Sequence, residues 1–414
     1  MTDITSARMT RDLKTIGLVS TAHGMSHFYQ LVLPPLLPVL KVAFGVSYTD
    51  LGLLVSVFYI CSALSQTPAG FLVDRLGART VLVGGLAIYG VGIGLIGTVP
   101  QFWMLLPCAG LAGIGNSVFH PADYSVLTAN VSPGRMARAY SAHALSGNIG
   151  WVLAPITVLG LTGAVGWNHA LQLVGIAGLV LAAWLALFGA LLDENTGRAR
   201  RATGGVTPAR ALLTTPILMC FAYFIVVSIA GTAIQTFMPA TLHAFKGFSL
   251  DVAGTALTFY VVGVAGGIIL GGIIADRKIR PDYIIAVSLV GAGILILLVG
   301  LLQLPNSGLL ALLTGVGFCS GVSGPSRDLL VRQSSPPGST GKVFGFVYSG
   351  FDIGSAITPS LLGFFLDRHV MIMVFVLPAI GYLLSIFTAV SLGTKRRAGP
   401  TPIRAVATAG EPAE

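Results

Sequence analysis

Eight ionisable side chains stand in stretches otherwise too apolar to hold them: His23, His27, His120, Asp123, His143, Arg327, Asp328 and Asp352. Carboxylates and imidazoles take up and release protons. A guanidinium in practice does not, which makes Arg327 a fixed cation suited to an anionic group or a carboxylate partner. A group that couples protons to another process must titrate, so Asp123, Asp352 and His27 are the candidates for that role. A lone buried histidine serves equally well as a plain hydrogen-bonder. His120 and Asp123, three apart, share a helix face and two potential metal ligands. No third ligand is spaced nearby in sequence, so no metal is expected. A glycine triplet, Gly92-x-Gly94-x-x-Gly97, matches a nucleotide-loop pattern. No strand precedes it, and it reads as helix packing.

The elements that carry these groups are set by composition. The chain has 414 residues, of which 54% are hydrophobic and 9% charged, and its mean hydropathy is +0.85. Soluble domains run near 25% charged, so this is an integral membrane protein, all-α, whose spans need roughly 20 apolar residues each. Twelve such spans can be drawn, at about 16–40, 49–72, 80–99, 102–128, 138–161, 168–192, 216–243, 250–274, 282–304, 307–331, 342–366 and 369–392. A charge at membrane depth costs roughly 2.5–3.5 kcal/mol, so each of the eight groups is expected to have a partner and a role. The four cysteines (Cys61, Cys108, Cys220, Cys319) lie far apart in apolar runs and offer neither zinc spacing nor a disulfide framework. The first fifteen residues are polar and the next apolar run is long enough to span, so no cleavable signal is evident.

The chain is written twice. Pro121, Pro133, Asn148, Gly150 and Pro155 recur as Pro325, Pro337, Asp352, Gly354 and Pro359, all at an offset of 204 residues. Gly70-Phe-Leu-Val-Asp74-Arg75 recurs as Gly272-Ile-Ile-Ala-Asp276-Arg277. Two similar halves in a membrane chain point to a secondary transporter with its site between them. The expected division is a six-helix half over 1–192, a cytoplasmic linker over 193–215, a second six-helix half over 216–393 and a tail over 394–414. With the N-terminus inside, 20 of the 24 Lys and Arg residues fall on the cytoplasmic side, so both termini are expected there. The formal charge of +9 then reflects topology and contact with anionic lipid, and no nucleic acid is expected as a partner.

Four spans carry polar stripes at steps of three or four residues. They are Ser20, His23, His27 and Gln30 in span one; Asn116, His120 and Asp123 in span four; Ser228, Thr232 and Gln235 in span seven; and Ser320, Ser323 and Arg327 in span ten. Polar groups facing lipid are costly, so the stripes face protein or water: either a central cavity or polar packing between helices. Asp123 and Arg327 sit at corresponding places in the halves and can face each other across such a cavity. Both fall in its inner third, which suits an inner gate as well as a substrate contact.

The loop sequence Gly70-x-x-x-Asp74-Arg75-x-Gly77-x-Arg79, with its second copy of Gly272, Asp276, Arg277 and Arg280, resembles the loop signature of the major facilitator superfamily. A helix-end carboxylate there can pair with arginines or a neighbouring helix N-terminus and lock the cytoplasmic side. The resemblance covers the whole chain and implies a twelve-helix fold of two pseudo-symmetric halves, a cavity lined by spans one, four, seven and ten, and a monomer. The Gly147-Asn148-x-Gly150 run with Pro155 resembles the glycine- and proline-rich fifth span of exporters in that superfamily, although close helix packing accounts for it too.

Over spans one to five the chain is further similar to the fosmidomycin resistance protein family, through Ala22-His23, Ser117-Val-Phe-His120-Pro121 and Gly147-Asn148-x-Gly150. It departs where that family has Asn-Asp after the first histidine and this chain has Ser26-His27. It departs again where the family has Glu after His-Pro and this chain has Ala122, then Asp123. One residue turns a carboxylate by about 100° round a helix, so fosmidomycin itself is not assumed as substrate. The expected function is proton-coupled export of a small organic molecule across the bacterial inner membrane, without cofactor. Import of an organic anion and ligand sensing without transport are the alternatives. No nucleophile elbow or phosphate loop supports an enzyme.

Overall fold

A computed structural model describes residues 2–132, 135–192, 213–275, 279–334 and 340–397. Among them there is no strand. The helices are α1 (Thr2–Gln30), α2 (Leu37–Phe44), α3 (Tyr48–Leu76), α4 (Ala78–Ile96), α5 (Leu105–Asn116), α6 (Phe119–Asn130), α7 (Met136–Phe188), α8 (Thr215–Lys246), α9 (Leu250–Ala275), α10 (Pro281–Leu301), α11 (Asn306–Ser334), α12 (Thr340–Asp367) and α13 (Met373–Arg397). Ten described segments are long and apolar enough to cross a membrane. One of them, within α7, is two spans joined at Gly166, whose φ of 83° breaks the helix. With α12 the tally reaches the twelve expected spans. The exterior is apolar, as lipid contact requires: Leu64, Phe71, Leu187 and Phe387 are each more than 60% exposed.

The internal repeat reappears as packing. In the first half α1 packs on α7, α3 on α5, and α4 on α5 and α7. In the second, α8 packs on α12, α9 on α11, and α10 on α11 and α13, which are the same pairs moved on by six spans. The halves meet through α3 with α12 and through α7 with α9, again a symmetric pair. One repeated proline acts differently in each half. Pro121 lacks the N–H a helix interior needs, and the fourth span restarts just before it, as α6 after α5. Pro325 instead lies inside the continuous α11.

We call the end of the bundle that carries the termini the terminal face and its opposite the distal face. Side-chain contacts between the halves cluster at the distal face among the described residues. There Tyr48 and Thr49 meet Asp367, and Ser56 meets Ser360 at 2.9 Å. Residues 193–212 of the expected linker and 398–414 of the tail lie outside the described residues.

Candidate functional site

One buried polar cluster is built on a single carboxylate. Asp123, on α6, has no solvent exposure. Its Oδ2 lies 3.0 Å from His23 Nδ1 on α1 and 3.1 Å from His143 Nε2 on α7. The two imidazoles stack at 3.5 Å between centroids. His27, one turn along α1, sits between His23 and Trp151, each 4.4 Å away. His120 approaches His23 at 5.7 Å. Asp123 Oδ1 and both His27 ring nitrogens are buried without a hydrogen-bond partner.

Glycine makes this possible. A Cβ on Gly147 would lie 3.0 Å from His27 Cε1, and one on Gly150 would lie 2.8 Å from Phe28 N and closer still to the Gly24 carbonyl oxygen. The glycines of the fifth span are thus accounted for by the crossing of α1 and α7, which brings His23 and His143 to one oxygen. Asn148 turns its amide to the Ala144 carbonyl at 2.9 Å.

Beside the cluster runs a second network. Trp151 Nε1 donates to Gln30 Oε1 (3.1 Å), Gln30 Nε2 to Asn116 Oδ1 (3.2 Å), and Asn116 Nδ2 to Ser62 Oγ (2.9 Å). It ties α7, α1, α5 and α3 together. In the second half Thr232 and Ser355 hydroxyls meet at 2.8 Å, and Gln235 is part-buried on α8.

Across the interface, Arg327 Nε donates to Asp328 Oδ1 at 2.9 Å. Its guanidinium lies 4.7 Å from the Phe224 ring centroid and 5.4 Å from that of Phe351. Tyr348 donates to Asp328 at 3.2 Å and stands 6.4 Å from His120, which links the halves. The expectation that Asp123 and Arg327 can face each other across a cavity is not one of a direct pair, and no direct pair forms. Each has other partners, because Asp123 turns inward between α1 and α7 while Arg327 takes its own neighbour. The Arg327 and Asp328 side chains keep 18% and 37% exposure, so they are reachable and Asp123 is not. Asp352 lies part-buried on α12.

The expectation that Asp123 lacks a third ligand does not hold in space. His23, Asp123 and His143 present ligating atoms within 4.8 Å of one another, because the missing ligands come from other helices. The arrangement can chemically hold a small cation or share protons. His143 was visible as an ionisable residue in a span but did not stand out as part of a site. Its one signal was its place one turn before Gly147.

Of the expected loop lock, Asp276, Arg277 and the Asp74 side chain lie outside the described residues. Gly77 sits at φ 87° between α3 and α4, a conformation open to glycine. Arg75 is exposed, and Gly70 and Gly272 have open space where a Cβ would be. Arg79 Nη2 donates to the Ala186 carbonyl at 2.6 Å. Arg280 pairs with Asp282, two residues on, in the first turn of α10.

Two six-helix halves joined through symmetric helix pairs, with a buried cluster of histidines around Asp123 beside their interface, fit a membrane transporter. A family model described as Major Facilitator Superfamily matches residues 19–249 and 226–412, and the chain belongs to that superfamily. It is similar to the fosmidomycin resistance protein of Escherichia coli (strain K12), with 27% identity over 90% of this chain and 91% of that protein. It is also similar to the sialic acid transporter of the same organism, with 24% identity over 70% and 71%. Among solved structures, a bacterial homolog of the human lysosomal transporter Spinster, inward-facing and occupied, superposes with a TM-score of 0.76 at 14% identity, covering 92% of this chain and 96% of that one. That likeness supports the fold alone.

Proposed function

We propose that this chain exports a small organic molecule from the bacterial cytoplasm in exchange for protons, as a monomer in the inner membrane with both termini inside. The observation that carries the proposal is Asp123: a carboxylate with no exposure, touched by two imidazoles and by no permanent cation. A buried carboxylate must be neutralised or paired. Here a proton, on the carboxyl or on one of the rings, can do that.

In the mechanism we propose, a proton arriving from the distal side changes the charge held between α1, α6 and α7. With Asp123 ionised, both imidazoles donate to it. With Asp123 protonated, it donates to one of them, and the hydrogen-bond pattern across three helices must reorganise. That reorganisation biases the rocking of one half against the other and exposes the interface around Arg327, Asp328 and Tyr348 to the opposite side. Likeness to a protein named for fosmidomycin resistance supports the outward direction.

Inside-out membrane vesicles holding a pH gradient test this reading. A panel of phosphonates, carboxylates, cationic dyes and neutral antibiotics is added, and proton release is followed. Release triggered by one chemical class and lost in Asp123→Asn is the expected result. Normal substrate-driven release in a folded Asp123→Asn protein would remove Asp123 from the mechanism. A second reading, import of a small organic anion, has its own support in the reachable, aromatic-flanked Arg327. Uptake of labelled carboxylates by intact cells, lost on substitution of Arg327, would favour it.

A further inference from the structure

The N-terminus of α3 is completed by a residue from the other half of the molecule. A helix leaves its first N–H groups without intrahelical acceptors. In α3 one of these is met locally, Asp50 N donating to Ser47 Oγ at 3.0 Å, and the regular ladder begins with Leu51 N on the Ser47 carbonyl at 3.2 Å. Ser47 and Asp50 close a reciprocal capping box, with Ser47 N on Asp50 Oδ2 at 3.0 Å. That leaves Tyr48 and Thr49. Their N–H groups point to Asp367, the last residue of α12: Tyr48 N to Oδ1 at 2.7 Å and Thr49 N to Oδ2 at 2.8 Å, with Thr49 Oγ1 adding a third bond at 2.5 Å.

A carboxylate held by three short bonds at the positive end of a helix is a strong contact, and this one spans 318 and 319 residues of sequence. The backbones beneath it are close enough to make it specific. A Cβ on Gly363 would lie 2.7 Å from Thr49 Cα, and one on Gly52 would lie 2.6 Å from the Pro359 carbonyl carbon. One turn deeper, Ser56 and Ser360 hydrogen-bond. Lys41, over the Tyr48 ring at 4.2 Å, adds a positive charge near the carboxylate.

We propose that Asp367 is the latch of the distal face: it holds the two halves shut there by capping α3, and it must let go each time the molecule opens to that side. No rearrangement within a half can replace these bonds, because donors and acceptor belong to different halves. The latch also has the polarity of the lock expected from Asp74 at the terminal face, a carboxylate set against a helix end, at the opposite end of the molecule. The proposal rests on rocking of the halves and not on the coupling ion or the direction of transport, and its test reads conformation only.

Spin labels are placed at Val42 and Leu301, exposed at the distal ends of the two halves, after the four free cysteines are replaced. Distances are measured in lipid nanodiscs. The unsubstituted latch is expected to give one dominant short distance. Asp367→Asn turns an amide N–H toward donors and is expected to raise the long-distance population about tenfold. Thr49→Val removes only the hydroxyl bond, keeps the shape of the side chain and is expected to give a smaller rise of the same sign. If Asp367→Asn does not fold, Thr49→Val decides. A distance distribution identical to that of the parent in the folded variant overturns the latch.

Discussion

The crossing of α1 and α7 is tight enough to be tested by one methyl group. Gly150→Ala would place a Cβ 2.8 Å from Phe28 N and nearer still to the Gly24 carbonyl oxygen. Non-bonded carbon contacts settle near 3.5–4.0 Å, so the two helices must part by about 1 Å. Overpacking of this kind costs about 1–3 kcal/mol. His143 stands seven residues before Gly150, two turns along the same face. A shift of about 1 Å there stretches its 3.1 Å contact with Asp123 beyond the length of a hydrogen bond. A bond to a charged group lost in this way adds about 1.5–3 kcal/mol. The expected total is about 2.5–6 kcal/mol, read as a lower melting temperature of detergent-purified protein and as loss of proton-linked flux. Gly160→Ala is the control, since it lies on the same helix with open space where its Cβ would go, and alanine there is neutral or mildly stabilising. Should Gly150→Ala melt with Gly160→Ala and keep its flux, the crossing does not set the cluster and the reasoning fails.

Two further outcomes follow from the other sites. Arg327→Lys loses the stacking on Phe224 and the flat fork that meets Asp328 or an anion. Binding of an anionic substrate is expected to weaken by about tenfold, or ~1.4 kcal/mol, by calorimetry; unchanged affinity with slower turnover would assign Arg327 to gating. Asp367 predicts a pH window. Burial opposes its ionisation, but the bonds from Thr49 and Tyr48 and the Lys41 charge outweigh this and hold its carboxyl below the ordinary value of 3.8. A carboxylate so depressed contributes fully above the ordinary value and loses its contribution only as pH falls through the lowered one. The distal distance in the spin-label experiment is therefore expected to be flat between about pH 5 and 8. A latch that opens within that window would mean a different group controls it.

Much of the architecture was legible in the sequence because a membrane imposes long apolar runs and a repeat imposes matched punctuation. The twelve spans and the two halves were visible in this way. Of the residues in the polar stripes, His23, His27, Gln30, Asn116, His120 and Asp123 lie near one another in the structure. What periodicity along one helix cannot report is which neighbouring helix a face meets. Asp123 and Arg327 occupy equivalent positions, yet each found other partners. His143 lies on a span whose visible signal was glycine, and Asp367 falls just past the expected eleventh span with nothing in its type to mark it. Tyr348, Trp151 and Ser62, which bridge or extend the polar networks, carried no signal beyond their own type.

Sequence by itself determined that this chain crosses a membrane repeatedly, that it is built twice, and that a few titratable groups are buried at a cost that demands partners. Those properties follow from composition and order, which burial energies read directly. Only the tertiary structure decided who the partners are: two imidazoles from separate helices on one Asp123 oxygen, and one carboxylate from the second half on the open end of α3. Such contacts depend on distances of about 3 Å between residues as much as 319 positions apart. They are fixed by where glycines let helix backbones touch, a property of pairs of helices that no single stretch of sequence contains.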